Sequence, residues 1–410
     1  MTTKTYETID SCRLCFSKKL SDVLDLGDQP PANSLRKSLD EEVPTAPLKL
    51  VQCQECSGVQ LTATVDPKYL FDHYVWVTGT SATARSYSDY FCSEVLKRAN
   101  PDARFIVEVA SNDGTFLRRF KEKGLSVLGV DPAKNIAQNA NENGIPTLPE
   151  FFNEEVAQDI FNEKGNADIV FARNVIPHVK EIHSIIKGLS DLAGDQGTVV
   201  IEFHYAKVIV DELHYDSIYH EHLYYYSLKS LNNLLLQYGL HPFDAFPSPI
   251  SGGSLVLFYS KEKKERSQFL TELLETENSV GLNELGTWLK FAENSVEHAK
   301  ELKQKVLEDS KSGKLIGYGA SARSSTMLNF AGIGCDLIDC IIDRNPIKQG
   351  LYTPGTDIPI VSYEEGIKKA IGGSIILLAW NFEEEIVTDL RASGFQGDII
   401  VPLPNRIHIR

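Results

Sequence analysis

Fourteen residues, HYDSIYHEHLYYYS at 214–227, hold three histidines, five tyrosines and two carboxylates. Three chemistries fit that mixture. Taken as a strand, His220 and His222 share one face and offer two metal ligands, with Glu221 pointing away; no third or fourth ligand is evident nearby. A purely structural reading packs the tyrosines and satisfies the histidines inside the protein. An acid–base reading uses imidazole, which titrates near neutrality, to take a proton, and tyrosine to donate a hydrogen bond to developing negative charge.

Cysteines give a second constellation. Cys12-Arg-Leu-Cys15 and Cys53-Gln-Glu-Cys56 each put two sulfurs two residues apart. That spacing lets a tight turn aim two thiolates at one tetrahedral zinc ion, and two such turns close a four-thiolate site with no open position for chemistry. The gap between the pairs exceeds that of an ordinary zinc ribbon, so a subdomain must lie between the knuckles. Cys92, Cys335 and Cys340 lack ligand spacing and read as buried fillers.

The third constellation is FIVEVASNDGTFLRRF at 105–120, which reads strand, turn, helix. Glu108 closes the strand, Ser111-Asn112-Asp113-Gly114 makes the turn, and Asp131 ends the next strand about twenty residues on, where an acid can accept from both ribose hydroxyls. The GxGxxG of a dinucleotide site is absent. The turn fits S-adenosylmethionine better, since that cofactor has no pyrophosphate to cradle. An ordinary sheet turn is the bland alternative.

These residues need elements to position them. The runs FIVEVA, SVLGVD, ADIVFA and GTVVIEF alternate with helical patterns, as do KLIGYGAS, DLIDCIID, DIPIVS, SIILLAW and DIIVPLP. Such alternation implies parallel sheets covered by helices, with HPFDAFP and SLVLFYS as an antiparallel edge of the first. The expected fold class is α/β: a small four-cysteine zinc module (1–68), a Rossmann-like domain (69–260), a helical bridge (261–312) and a smaller Rossmann-like C-terminal domain (313–410). In that last block GYGASA, with Ala322 at the third glycine place and Asp343 further on, also matches a relaxed NAD fingerprint, and a degenerate structural unit is a further alternative.

The chain has 410 residues, 42% hydrophobic and 24% charged, with a net charge of −15. Two or three domains fit that length. The acidity excludes a broad nucleic-acid surface, which needs clustered Lys and Arg. The apolar runs are strand-sized rather than membrane-spanning, and no secretory signal is evident, so a cytoplasmic location is expected.

The order CxxC…CxxC, EVASNDGTFL, HYDSIYHEHL resembles the sugar C-methyltransferase family over essentially the whole chain. The resemblance implies S-adenosylmethionine as donor, structural zinc, and as substrate a nucleotide-linked 4-keto-6-deoxysugar, with dTDP the first expectation and GDP or CDP the others. A monomer is favoured with the oligomeric state left open, and the acidity and short apolar runs lead us to expect no nucleic-acid or membrane partner. The product is a sugar methylated at C3, since the C4 ketone acidifies that position. On the resemblance, His222 is the base and Tyr219 the donor beside the enolate. Glu221 orients a histidine or binds a sugar hydroxyl, and His178 supports. Tyr74 lies over the active site, its alternative being packing between domains. Glu108, Ala110, Asn112, Asp113, Asp131 and Asn174 hold the cofactor; His220, Ser321, Arg323 and Lys348 bind substrate; Cys12, Cys15, Cys53 and Cys56 hold the metal. Two departures stand out: Ala110 replaces a common glycine, which is expected to be harmless, and Ser251 replaces a common histidine, which bears on the choice of sugar. An O- or N-methyltransferase and a non-catalytic nucleotide-sugar scaffold are the competing functions.

Overall fold

The computed structural model describes residues 5–71, 78–80 and 82–410. Tyr74 lies outside the described residues. The N-terminal strands are β1 (Tyr6–Thr8), β2 (Leu20–Gln29), β3 (Ala46–Cys53), β4 (Val59–Leu61) and β5 (Ala63–Val65). β2 and β3 form the antiparallel hairpin that fills the long gap between the cysteine pairs.

The central strands are β6 (Phe105–Val109), β7 (Ser126–Val130), β8 (Thr147–Leu148), β9 (Ile169–Arg173) and β10 (Thr198–His204), followed by β11 (Tyr224–Tyr225), β12 (His241–Ser248) and β13 (Ser254–Ser260). Seven of them make one sheet in the order β12-β13-β10-β9-β6-β7-β8. Five run parallel, while β13 runs antiparallel to β10 and to β12. Ile106 and Val107 are fully buried, as expected of a strand covered on both faces. One face packs an aromatic layer that includes Phe91, Phe116, Phe120, Phe171 and Phe258. The other joins a core that continues into both flanking units, from Leu48 and Leu50 to Ile316 and Ile341.

Two helices, Gln268–Ser279 and Leu285–Ser312, follow β13 and precede the second sheet. The longer one buries Trp288, Phe291, Ser295, Leu302 and Val306, an inward stripe at helical spacing. Beyond it, β14 (Leu315–Tyr318), β15 (Cys340–Ile342), β16 (Ile360–Val361), β17 (Ser374–Leu377), β18 (Ile399–Val401) and β19 (His408–Ile409) form the second sheet, in the order β16-β15-β14-β17-β18-β19. Only β19 is antiparallel.

In each sheet the strand order reverses once, between β6 and β9 and between β14 and β17. Such switch points open a crevice beyond the carboxyl ends of the strands.

The histidine stretch is not the strand that the metal reading requires. Residues 215–217 form a 3-10 turn, 220 and 221 a tight turn, and only Tyr224–Tyr225 is strand. That strand pairs with Gln60 and Val59, so this segment extends the sheet of the cysteine module in the order β11-β4-β3-β2.

Candidate active site

At the four cysteines, Phe16 N–H donates to Cys12 and Ser57 N–H donates to Cys53, and Phe16 and Ser57 both take left-handed φ near 61°. Two equivalent knuckles result. The four Sγ atoms lie within 4.8 Å of one another, with Cys12–Cys56 at 3.6 Å and Cys15–Cys53 at 3.5 Å. Zinc–sulfur bonds in a tetrahedron set sulfurs about 3.8 Å apart, so the donor set fits the ion. Contact with Cys56 and a hydrogen bond from Gln60 favour a thiolate at Cys12.

At the first switch point, Glu108 is the last residue but one of β6, and the chain then turns through Ala110 (φ 56°), Asn112 (φ 50°) and Gly114 (φ 74°). Asp131 fixes that turn by accepting from Asn112 N–H at 2.8 Å and Ala133 N–H at 2.9 Å. Asp113 accepts from the Thr115 hydroxyl at the start of the next helix, and Asn112 and Asp113 accept from the backbone of Thr78 and Gly79. Gly129 lies under the turn, where a Cβ would meet Ser111 Cβ at 2.9 Å. Among the described residues, Glu108 Oε2 and Ser111 Oγ are buried without a hydrogen-bond partner. Unpaired buried polar atoms at this edge match a polar ligand such as the cofactor's amino-acid end. Burial pushes the Glu108 carboxyl up and Arg173 opposes this. Arg173 sits 3.7 Å from Glu108 and 2.7 Å from Glu202, on the faces of Phe91 and Phe116. Sequence reading missed this charge ladder. Arg173 and Glu202 lie on adjacent parallel strands, and the strand-end rule could have flagged both. Asn174 follows at φ 51°, its N–H donating to Glu202 O at 2.8 Å.

The imidazoles converge beside this crevice. His178, from the 3-10 turn after β9, meets His222 edge to face with ring centroids 4.6 Å apart. Tyr219 Oη lies 2.8 Å from His222 Nε2. Burial, then His178 and Arg323, hold His222 well below the usual imidazole range; burial brings His178 down to about 4. Burial thus favours the neutral form of both rings. Glu221 is pushed up to about 7 by burial while Asn33 donates to its Oε1 at 2.7 Å.

His220 is turned away from this group. Its Nε2 bonds the Ala46 carbonyl at 3.1 Å, inside the cysteine module. Ser321 caps the helix Ala322–Ala331, accepting from Ser324 N–H. Lys348 Nζ donates to Ala320 O at 2.6 Å and stands 3.5 Å from Asp343. Of the residues expected to bind substrate, Arg323 alone joins the imidazole side. Its guanidinium lies 5.5 Å from the Trp380 ring, and its charge lowers His204, His214 and His222. The Trp380 Nε1–H donates to Asp216 at 2.7 Å, and the ring stands 4.6 Å from His214. His204, His214, Asp216 and Trp380 were not anticipated, although His204 ends β10 and Trp380 follows β17, both at the ligand-binding edge. A Cβ on Gly252 would meet His214, Trp380 and Arg323 at 3.6 to 3.8 Å, so the glycine turn beside Ser251 closes on the same cluster.

Family models cover most of the chain: a zinc binding domain over 12–71, a methyltransferase domain over 84–243 and a C-methyltransferase C-terminal domain over 249–404. C-methyltransferase NovU of Streptomyces niveus is 32% identical over 405 residues, covering 97% of this chain and 96% of that one. Among solved structures, the chain is similar to magnesium protoporphyrin IX methyltransferase from Synechocystis PCC 6803 with bound SAM (14% identity, 48% of this chain, 86% of that chain, TM-score 0.34). It is also similar to PH0226 from Pyrococcus horikoshii OT3 (13%, 48%, 99%, TM-score 0.38). Scores this low add nothing to the assignment, which rests on the relative matched end to end and on the domain models. Among the described residues no helix is long and apolar enough to cross a membrane. The chain belongs to the sugar C-methyltransferase family and is an S-adenosylmethionine-dependent C-methyltransferase with a four-cysteine zinc module.

Proposed function

We propose that the enzyme methylates C3 of a nucleotide-linked 4-keto-6-deoxyhexose, with dTDP as the nucleotide. The observation carrying this reading is the 2.8 Å contact between Tyr219 Oη and His222 Nε2, in a pocket that keeps the imidazole neutral. A base and a hydroxyl donor held side by side match an acidic C–H beside a carbonyl oxygen. Methyl transfer to oxygen or nitrogen needs no carbon acid and leaves that pairing without a task.

Bound S-adenosylmethionine supplies an electrophilic methyl group and leaves as S-adenosylhomocysteine. His222 Nε2 takes the C3 proton, and the electron pair of the broken C–H bond spreads onto the C4 oxygen. The Tyr219 hydroxyl, turned from His222 to that oxygen, donates a hydrogen bond to the enolate. C3 then carries the nucleophilic pair that forms the new carbon–carbon bond. A lowered imidazole pKa weakens the base, but the enolate formed beside it offsets this, because opposite charges are created together. His178, neutral and edge-on, holds the His222 ring in place. Glu108, Ala110, Asn112, Asp113, Asp131 and Asn174 form the cofactor edge. Arg323 faces the sugar nucleotide from the C-terminal unit.

The test runs the full-length, zinc-loaded enzyme on nucleotide-linked 4-keto-6-deoxysugars in heavy water. Wild-type enzyme is expected to exchange the C3 hydrogen and add a methyl to C3, read by mass and NMR. His222→Asn is expected to cut both by about 100- to 10,000-fold and to leave cofactor affinity unchanged. A methyl attached to oxygen or nitrogen, or normal C-methylation by His222→Asn, overturns the reading.

A further inference from the structure

The segment carrying the proposed base is held from both sides by the cysteine module. His220 bonds Ala46 of β3, Leu61 N–H donates to Leu223 O at 3.0 Å, and Tyr224 pairs with Gln60. Between these anchors stands Glu221, whose carboxyl receives the Asn33 amide at 2.7 Å. Asn33 belongs to PPANSL, the loop after β2. That loop has its own fixings. Arg36 and Tyr352 exchange two backbone hydrogen bonds, at 2.9 and 2.8 Å; the Arg36 guanidinium pairs with Asp357; and Tyr69 bonds Ser34. Since the loop is clamped independently of Glu221, the bond orients the carboxyl and not the loop.

We infer that Asn33 is a positioning residue for Glu221, so that the cysteine module completes the active site as well as stabilising the fold. The inference rests on the reading of Glu221 as part of the catalytic group. Its physical content is an amide N–H donating to a buried carboxyl. Such a bond favours the charged form and one orientation of the group, against the burial that favours the neutral form. Around the carboxyl, His178 faces the backbone of Glu221, His220 points to Ala46, and His222 points to Tyr219. Among the described residues, burial and the Asn33 amide are what move it.

The experiment is a double-mutant cycle on the full-length, zinc-loaded enzyme, comparing wild type, Asn33→Leu, Glu221→Gln and the double variant. Each is read by kcat, by KM and by infrared titration of the Glu221 carboxyl, isolated as the difference from Glu221→Gln. Asn33→Leu is expected to lower kcat about 10- to 100-fold with little change in KM, and to move the carboxyl's titration upward from about 7. In the Glu221→Gln background the same substitution is expected to cost nothing further. Losses that multiply, or an unmoved titration, overturn the inference. If Asn33→Leu sheds its zinc, Asn33→Asp keeps the size and replaces the donor by a second carboxyl. It must then push the Glu221 titration higher still, and a titration that stays put is again fatal. Should Glu221→Gln turn over at the wild-type rate, the catalytic reading of Glu221 fails, while the titration still decides whether Asn33 governs the carboxyl.

Discussion

The two α/β sheets have the same design and differ at the switch point. Both central strands end in a residue at positive φ, Ala110 after β6 and Gly319 after β14, and in both the neighbouring strand is followed by an aspartate, Asp131 or Asp343. In the C-terminal sheet the turn is satisfied from within. Asp343 accepts from Ala320 N–H at 3.0 Å and Asn345 N–H at 2.8 Å, and Lys348 reaches back to the Ala320 carbonyl. The central turn is also braced by its aspartate, but Glu108 Oε2 and Ser111 Oγ remain buried and unpaired beside it. The same parallel core therefore gives one turn with unpaired buried atoms beside it and one turn held by both an aspartate and a lysine. What sets the edge formed by GYGASA apart is its cation, since Lys348 is spent on the Ala320 carbonyl.

The comparison breaks most visibly at the aspartates. Asp131→Ala is expected to weaken S-adenosylmethionine about 10- to 100-fold, the scale of a lost hydrogen bond to a charged group. Asp343→Ala should leave that affinity unchanged and instead lower stability by about 1–3 kcal/mol, because backbone donors and Lys348 lose their acceptor. Calorimetric titration and thermal melts read the two effects separately. Equal losses of donor affinity at both positions would remove the distinction drawn between the sheets.

The largest loss of stability is expected from Gly319→Ala. Its Cβ would stand 2.5 Å from Ala379 Cβ and 3.0 Å from Ala379 N, and its φ of 99° lies outside the left-handed region open to alanine. Strain plus overpacking is expected to cost about 2–4 kcal/mol, read by denaturant unfolding, and the clash with Ala379 sits directly before Trp380.

Much of this was legible in the chain. The buried strands announced themselves as Val- and Ile-rich runs between turn residues, the cysteine pairs by spacing, and Glu108 and Asp131 by their places at strand ends. The histidine stretch was harder. Its alternating His-Glu-His read as strand, yet tertiary contacts fold it as consecutive tight turns, so His220 and His222 part company. Contacts such as Asn33–Glu221, between residues far apart in sequence, leave no local periodicity to detect. Trp380 was hidden because the apolar run containing it continues past Leu377, where the strand ends.

The smallest expected effect is the mirror of the Gly319 substitution. Ala110 holds φ 56°, where a side chain costs about 1–2 kcal/mol relative to the ordinary helical region and glycine costs nothing. The alanine at this turn is thus mildly strained, which the sequence alone did not reveal. Ala110→Gly relieves that strain, but the glycine also loosens the unfolded chain, which takes back about 0.4–1 kcal/mol. The net gain is expected to lie between zero and about 1.6 kcal/mol, with S-adenosylmethionine affinity unchanged, because the Ala110 N–H bond to Val130 O at 2.8 Å belongs to the backbone. Opposite signs for the two exchanges, at the same place in two sheets of one design, separate backbone geometry from crowding. A loss of stability on Ala110→Gly would mean that its methyl group packs against something at the cofactor edge, and that the central turn is less open than its unpaired atoms imply.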